Sequence, residues 1–380
     1  MSLFELFSLL GGVGLFLYGM TIMSTGLKNA CGENLRVILE HATKNKVISV
    51  VVGIAITMLI QSSSATDVMV IGFVNSGLMS LTQAIGVIMG ANIGTTITAQ
   101  ITAFNLSAYA PMILFVGAVL YLFMKKDMVK YVGSIIMGFG MLFEGIALMK
   151  TAIAPLAETE AFIHMISALE NPFLTVLFGI LFTALLQSSS SATVIFQAFA
   201  VQGIISYETS VYLVIGAAIG SVTPNILASL TMSRNGKRTA LLNLLFNLIR
   251  AGILMILLFI FPQILTIIKS LSPGNVARQI ANTHTIFAIF AVLVMLPFSD
   301  KIVKLTQTLL PLKPEESRTG EERKLLYMTQ TGTIPSAVAV SQAHREITRM
   351  GEIASRNLKT AIKCFFEQDD SLAEVVEETE

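Results

Sequence analysis

The run Gln-Ser-Ser-Ser occurs twice, at residues 61–64 and 187–190, each time inside an apolar stretch and followed by more apolar sequence. Serines at the start of a helix offer hydroxyls, and the first turn of that helix offers N–H groups with no intrahelical partner. The positive end of the helix dipole adds to these, so such a start can hold an anion without a formal charge. The helix that leads into the run ends in free carbonyls. Together with Gln and Ser oxygens, these suit a hard cation such as Na⁺. Ser62, Ser63, Ser64, Ser188, Ser189 and Ser190 are therefore candidate anion ligands, and Gln61 and Gln187 candidate Na⁺ ligands. A single Ser-rich turn more often only bonds between packed helices. Two copies at equivalent points favour a binding role.

Further oxygens follow each run. Thr66 and Asp67 come after the first, and Ser191 and Thr193 after the second. Asp67 has no acidic counterpart. A carboxylate at membrane depth is costly and by default functional, as a cation ligand or a proton acceptor, the bland alternative being a hydrogen-bonded structural Asp. Downstream lie Gly90-Ala91-Asn92-Ile93-Gly94-Thr95-Thr96 and Gly216-Ala217-Ala218-Ile219-Gly220-Ser221-Val222. The glycines read as helix packing. Asn92 and Thr95 are added to the anion set, and Thr96 and Ser221 to the Na⁺ set. Because Ala218 and Val222 stand where the first copy has Asn92 and Thr96, the two halves are not chemically equivalent. Glu144 and Arg250 are expected to neutralise each other across their helices, and His284 to be a hydrogen-bonded helix residue. No Gly-x-Ser-x-Gly, His-Glu-x-x-His or P-loop occurs, so no hydrolase or nucleotide site is visible and no enzyme is expected.

The elements that must position these residues are membrane helices. The 380 residues are 54% hydrophobic and 13% charged, with mean hydropathy +0.74, against about 25% charged for a soluble domain. Charges are sparse up to about residue 299 and dense afterwards. The net charge of +1 implies no nucleic-acid partner, and the two cysteines and four histidines form no disulfide framework or metal cluster. The first apolar run has an acidic Glu5 and no small-residue cleavage site, and reads as a retained helix rather than a signal peptide. Stretches long enough to span fall near 3–27, 82–103, 107–124, 131–150, 208–230, 239–261 and 279–298. Residues 47–77 and 173–203 differ: each is two short apolar halves broken by the polar run. Each half is too short for a core of roughly 30 Å, so each pair reads as a re-entrant hairpin lining a cavity.

The two hairpins are copies, offset by 126 residues without a gap. Aligning 53–98 with 179–224 gives 16 identities in 46 pairs, where composition alone gives about four. The offset reaches back to Gly14/Gly140 and Gly19/Gly145. A unit of three spans and one returning hairpin is odd, so the second unit is inverted relative to the first. Basic residues agree. Lys28, Arg36, Lys44, Lys46, Lys125, Lys126, Lys130, Arg234, Lys237 and Arg238 lie on one side, and Lys150, Lys269 and Arg278 on the other. The first side is then cytoplasmic. The expectation is an all-α polytopic protein of the cell (inner) membrane, N-terminus outside and C-terminus cytoplasmic. Its two inverted repeats, about 3–125 and 129–251, each hold three spans and one re-entrant hairpin, and a further span follows at 279–298. Such a plan is common to many secondary transporters; the alternatives are a re-entrant-loop ion or solute channel and a structural bundle with an ancient duplication.

The duplicated Gln-Ser-Ser-Ser, with Gly-Ala-Asn-Ile-Gly-Thr-Thr at 90–96, resembles the type II sodium–phosphate cotransporter family over roughly residues 1–300. The resemblance implies sodium-driven uptake of inorganic phosphate by alternating access, with Na⁺ as co-transported ion, no organic cofactor, and the serines above as phosphate ligands. A transporter of another oxyanion is the further alternative. Residues 216–222 depart from the motif. Asn243-x2-Phe246-Asn247 and His284-x2-Phe287 look like partly altered forms of the family's later His-x-x-Phe-Asn segments. Residues 300–340 are expected to be a linker. Residues 341–380 look like the opening of a PhoU-like helical domain whose apolar stripe, from Ile347 to Phe365, needs a packing partner or a second copy of the chain.

Overall fold

The computed structural model describes residues 3–31, 45–75, 79–104, 106–153, 171–311, 327, 336–367, 372–373 and 375–376. Arg36, Lys44, Gly77 and most of the expected linker lie outside these. The described elements are helical. In chain order they are α1 (Leu3–Cys31), α2 (Lys46–Ile60), α3 (Ser63–Asn75), α4 (Leu81–Gly94), α5 (Thr96–Thr102), α6 (Ala110–Phe123), α7 (Asp127–Ile153) and α8 (Pro172–Leu186). There follow α9 (Ser189–Val201), α10 (Tyr207–Gly220), α11 (Thr223–Ser229), α12 (Arg234–Ile260), α13 (Gln263–Ser270), α14 (Val276–Met295), α15 (Ser299–Leu309) and α16 (Ser336–Glu367).

Among the described residues, six helical stretches are long and apolar enough to cross a membrane: 4–30, 81–102, 127–149, 207–229, 234–260 and 276–309. The seventh expected span, 107–124, is a shorter helix. A 3₁₀ turn at Ser107–Tyr109 leads into the 14 residues of α6, together about 27 Å long. Lys125, Lys126 and Asp127 then follow. Large apolar side chains face outward, with Phe259 90% and Leu185 85% exposed, as suits helices solvated by lipid rather than water.

Local sequence sets the helix ends, and it does so twice. Asn45 caps α2 through Val47 N–H (2.9 Å), and Asn171, 126 residues on, caps α8 through Phe173 N–H (2.9 Å). Ser80 caps α4 and Ser206 caps α10 in the same way, through the N–H groups of Gln83 and Thr209. Glycines then fix the packing. A Cβ on Gly90 would stand 2.0 Å from the carbonyl oxygen of Val50, and one on Gly53 2.2 Å from that of Val87. Gly216 and Gly179 repeat this against Val176 and Leu213, at 2.2 and 2.4 Å. These contacts advance together along both chains, so α2 runs parallel to α4 and α8 parallel to α10. The intervening α3 and α9 must therefore run back, and each pair forms a hairpin. By contrast α1 and α7 are antiparallel, Gly12 facing Met149, Gly19 Leu142 and Gly26 Tyr131.

The open ends of the hairpins lie apart. At one end Lys46 pairs with Asp300 (2.7 Å), Asn75 accepts from Ser233 N–H (2.8 Å), and Arg238 donates to the Leu310 carbonyl (2.8 Å). At the other, Val201 lines a cavity with Ser107, Gly274, Asn275 and Val276. The first end is the C-terminal end of α14–α15 and the second is the N-terminal end of α14.

Candidate functional site

Between α2 and α3 the chain turns on Gln61, at φ 56° and ψ 26°, and between α8 and α9 on Gln187, at φ 57° and ψ 18°. Among the described residues these are the two non-glycine positions with positive φ. A left-handed non-glycine residue is strained by about 1–3 kcal/mol and persists where the surroundings over-determine it, commonly at a binding site. Each glutamine N–H still bonds the carbonyl four residues back, Thr57 or Thr183, at 2.7 Å. The serine that follows caps the next helix: Ser62 Oγ accepts from Ala65 N–H (3.2 Å), and Ser188 Oγ from Ser191 N–H (3.3 Å). Both sequence runs thus become the same object, a helix C-terminus turned at once into a serine-capped helix N-terminus.

The two tips meet. Ser64 Oγ lies 3.5 Å from the carbonyl oxygen of Gln187 and 3.4 Å from that of Ser221, at the end of α10. Carbonyl oxygens of the second unit thus face the helix start of the first. The glutamines part company beyond the backbone. Gln61 is buried; its Nε2 donates to the Met58 carbonyl (2.6 Å) and its Oε1 accepts from Thr98 Oγ1 (2.8 Å). Gln187 is exposed. The asymmetry follows from the chain, since the counterpart of Thr98 is Pro224, which has no hydroxyl.

Other site candidates fall into smaller groups. Thr57 Oγ1 donates to Thr66 Oγ1 (3.0 Å), which bonds the Ser62 carbonyl. In the second unit Ala192 replaces Thr66, and the buried Thr183 hydroxyl has no partner. Ser191 Oγ bonds Ser188 Oγ (2.9 Å), and Thr193 bonds the Ser189 carbonyl (2.8 Å). Thr96 bonds the Ile93 carbonyl and accepts from Thr285 (3.1 Å); Ser221 Oγ bonds the Ala218 carbonyl. Thr95 is buried with its hydroxyl unpartnered. Ser63, Ser189 and Ser190 sit in the first turns of α3 and α9.

Asp67 is 4% exposed. Its Oδ2 accepts from Asn225 Nδ2 (3.1 Å) on α11 and Asn243 Nδ2 (2.8 Å) on α12, while Oδ1 has no partner. The Oδ1 atoms of Asn225 and of Asn247, which bonds Asn243, are also buried and unpartnered. A carboxylate oxygen and amide oxygens left free together are the donor set of a hard cation. Asn225 and Thr98 were missed by sequence reasoning. Their one available signal was departure from the repeat, since Asn225 aligns with Ala99 and Thr98 with Pro224. Asn92 donates to the Ile88 carbonyl (3.0 Å), and its Oδ1 accepts from Arg250 Nη1 (2.8 Å). Glu144 is therefore not the partner of Arg250: α7, which carries it, packs on α1 and α6, whereas Arg250 turns toward α4. Gln197, where the first copy has Ile71, ties α9 to the Ala99 and Ala277 carbonyls and to Thr102.

The sequence model of the family described as Na⁺/Pi-cotransporter matches residues 15–151 and, a second time, 144–296. The YjbB protein of Escherichia coli (strain K12), provisionally named for inorganic phosphate export, is 30% identical over 348 residues, 91% of this chain and 63% of that one. YqeW of Bacillus subtilis (strain 168) is 28% identical over 303 residues, 78% of this chain and 96% of that one. The rat sodium-dependent phosphate transport protein 2A is 37% identical over 97 residues, 25% of this chain and 15% of that one. This chain thus spans less than two thirds of the length of its YjbB relative. No solved structure matches it.

Proposed function

Because this chain belongs to the Na⁺/Pi-cotransporter family, we propose that it is a multi-pass membrane transporter of inorganic phosphate, driven as a symporter by sodium. The single observation that carries this reading is the meeting of the tips: Ser64 of one serine-capped helix start lies against the Gln187 and Ser221 carbonyls of the other unit. Helix starts suit the anion and carbonyl ends suit the cation. Two helix N-termini supply together roughly one positive charge, and phosphate carries one to two negative ones. The remainder is costly in a low-dielectric site unless Na⁺ enters with it. Gln61, Gln187 and the Asp67 oxygens are the proposed cation ligands, and the tip serines with Thr95 the anion ligands. Each ion then raises the affinity for the other.

The hairpins opening at opposite ends of α14–α15, joined at their tips, support an inverted-repeat, alternating-access plan. The basic residues near the Lys46 and Arg234 end favour its being cytoplasmic. A symporter is reversible, and an inward Na⁺ gradient makes the net direction import. The name of the Escherichia coli relative favours a second reading, export of phosphate. Labelled phosphate uptake into proteoliposomes tests both. Accumulation above the outside concentration under an inward Na⁺ gradient, reversed when the gradient is reversed, is the symport result. Downhill flux indifferent to Na⁺ would leave a channel or a uniporter.

A further inference from the structure

A cavity of about 280 Å³ lies between α5, α7, α9 and the start of α14. Its mouth is formed by the exposed Val201, Gly274 and Asn275, and its inner end by the buried Val194, Thr102 and Gln197. It has room for several waters, and the Ser107 hydroxyl on its wall has no protein partner. Both helices at the inner end lead on to the tips. On α9, Ser190 stands four residues before Val194 on the same face, a rise of about 6 Å. On α5, Thr98 stands four residues before Thr102 and donates to Gln61. At that inner end the Gln197 side chain crosses from one unit to the other. Its Nε2 donates to the Ala99 carbonyl (3.2 Å) on α5 and to the Ala277 carbonyl (3.0 Å) on α14, and its Oε1 accepts from Thr102 Oγ1 (2.8 Å). Gln197 is 3% exposed, so these bonds are made out of water.

We propose that this cavity is the vestibule by which ions reach the tips from its side of the membrane, and that Gln197 is the bar that closes it. The proposal rests on the transport reading above. For the path to open, α9 must part from α5 and α14, and the three Gln197 bonds must break. The first hairpin is also tied across the units, α3 to α11, but by other chemistry: Asp67 accepts from Asn225, the residue aligned with Ala99. Ile71, aligned with Gln197, has no polar atom to offer. One hairpin is thus held by a carboxylate and the other by a neutral amide. A cation at Asp67 acts on the first tie and not on the second. The two ends can therefore open at different points of the cycle, as alternating access requires.

The test is thiol labelling of the full-length chain with Cys31 and Cys364 replaced by Ser. An impermeant, negatively charged thiosulfonate is applied to intact cells or to inside-out vesicles, whichever labels Val201→Cys at the mouth. Ser190→Cys reacts slowly from that side while Gln197 is present. It reacts at least tenfold faster in Gln197→Met, which keeps the side-chain length and loses the three bonds. Val201→Cys keeps its rate, and Val70→Cys, buried in the first hairpin, stays unlabelled. Thr102→Val removes one of the three bonds and gives an intermediate rate; it carries the reading where Gln197→Met does not fold. No labelling of Val201→Cys from either side, an unchanged Ser190→Cys rate in the folded variants, or equal acceleration at Val70→Cys overturns the proposal. The rates are read without phosphate. If phosphate uptake fails while they rise as expected, the transport reading falls and the barred cavity stands; if uptake is sodium-driven and they do not change, the bar alone falls.

Discussion

Replacing Asp67 with Asn probes the cation half of the site with little change of shape. The two amides that now donate to Asp67 Oδ2, from Asn225 at 3.1 Å and Asn243 at 2.8 Å, can donate equally to the Asn side-chain oxygen. The new NH₂ then takes the position of Oδ1, the atom with no partner. Two hydrogen bonds survive, and what is lost is one negative charge and one free acceptor. Contacts to an ionised group contribute about 1.5–3 kcal/mol, and each 1.4 kcal/mol is about tenfold in affinity. The half-saturating Na⁺ concentration is therefore expected to rise on the order of ten- to a hundredfold in Asp67→Asn. Phosphate affinity measured at low Na⁺ falls with it by linkage, and recovers at high Na⁺. The assay is labelled phosphate uptake into proteoliposomes across a Na⁺ series, with Tm of the purified variant as the fold control. A folded Asp67→Asn protein with the wild-type Na⁺ dependence would refute the assignment and make Asp67 a structural link between α3, α11 and α12.

Four further outcomes follow from the same geometry. Gln187→Gly relieves the left-handed strain at an exposed side chain and should raise stability by about 1 kcal/mol, whereas Gln61→Gly also loses bonds to Met58 and Thr98 and should not; paired Tm measurements decide, and equal shifts contradict the asymmetry. Gly90→Ala and Gly216→Ala drive a methyl to within about 2 Å of the Val50 and Val176 carbonyls, so each should cost on the order of 1–3 kcal/mol or more, read as a lower Tm. Ser64→Ala removes the hydroxyl that joins the tips and should weaken phosphate binding measured by calorimetry at saturating Na⁺; an unchanged Kd excludes Ser64 as a ligand. A cysteine at Ser233 should be labelled by an impermeant thiol reagent only from the cytoplasm and one at Ser272 only from outside; labelling of both from one side contradicts the proposed orientation.

The sequence by itself determined the elements and their duplication. Apolar length fixed the long helices, Asn45/Asn171 and Ser80/Ser206 fixed their starts, and the 126-residue offset marked the two turns at Gln61 and Gln187 before any fold was known. These are local properties, set by side chains within a turn or two of the backbone they control. The helical stretch at 107–123 matches the expected 107–124 to within a residue, although it opens on a 3₁₀ turn and Pro111 and is shorter than the other spans. Which polar groups meet was decided only in three dimensions. Asp67 finds Asn225 and Asn243, 158 and 176 residues away, and Arg250 turns to Asn92 rather than Glu144. Helices that are apolar on most faces carry little amphipathic signal, so periodicity does not say how each is rotated about its axis. Close glycine contacts set that rotation, through backbone approaches such as Gly90 on Val50 and Gly216 on Val176. On α12, Asn243, Asn247 and Arg250 are buried while Leu248 and Ile256 are exposed, an orientation the sequence of that helix does not announce.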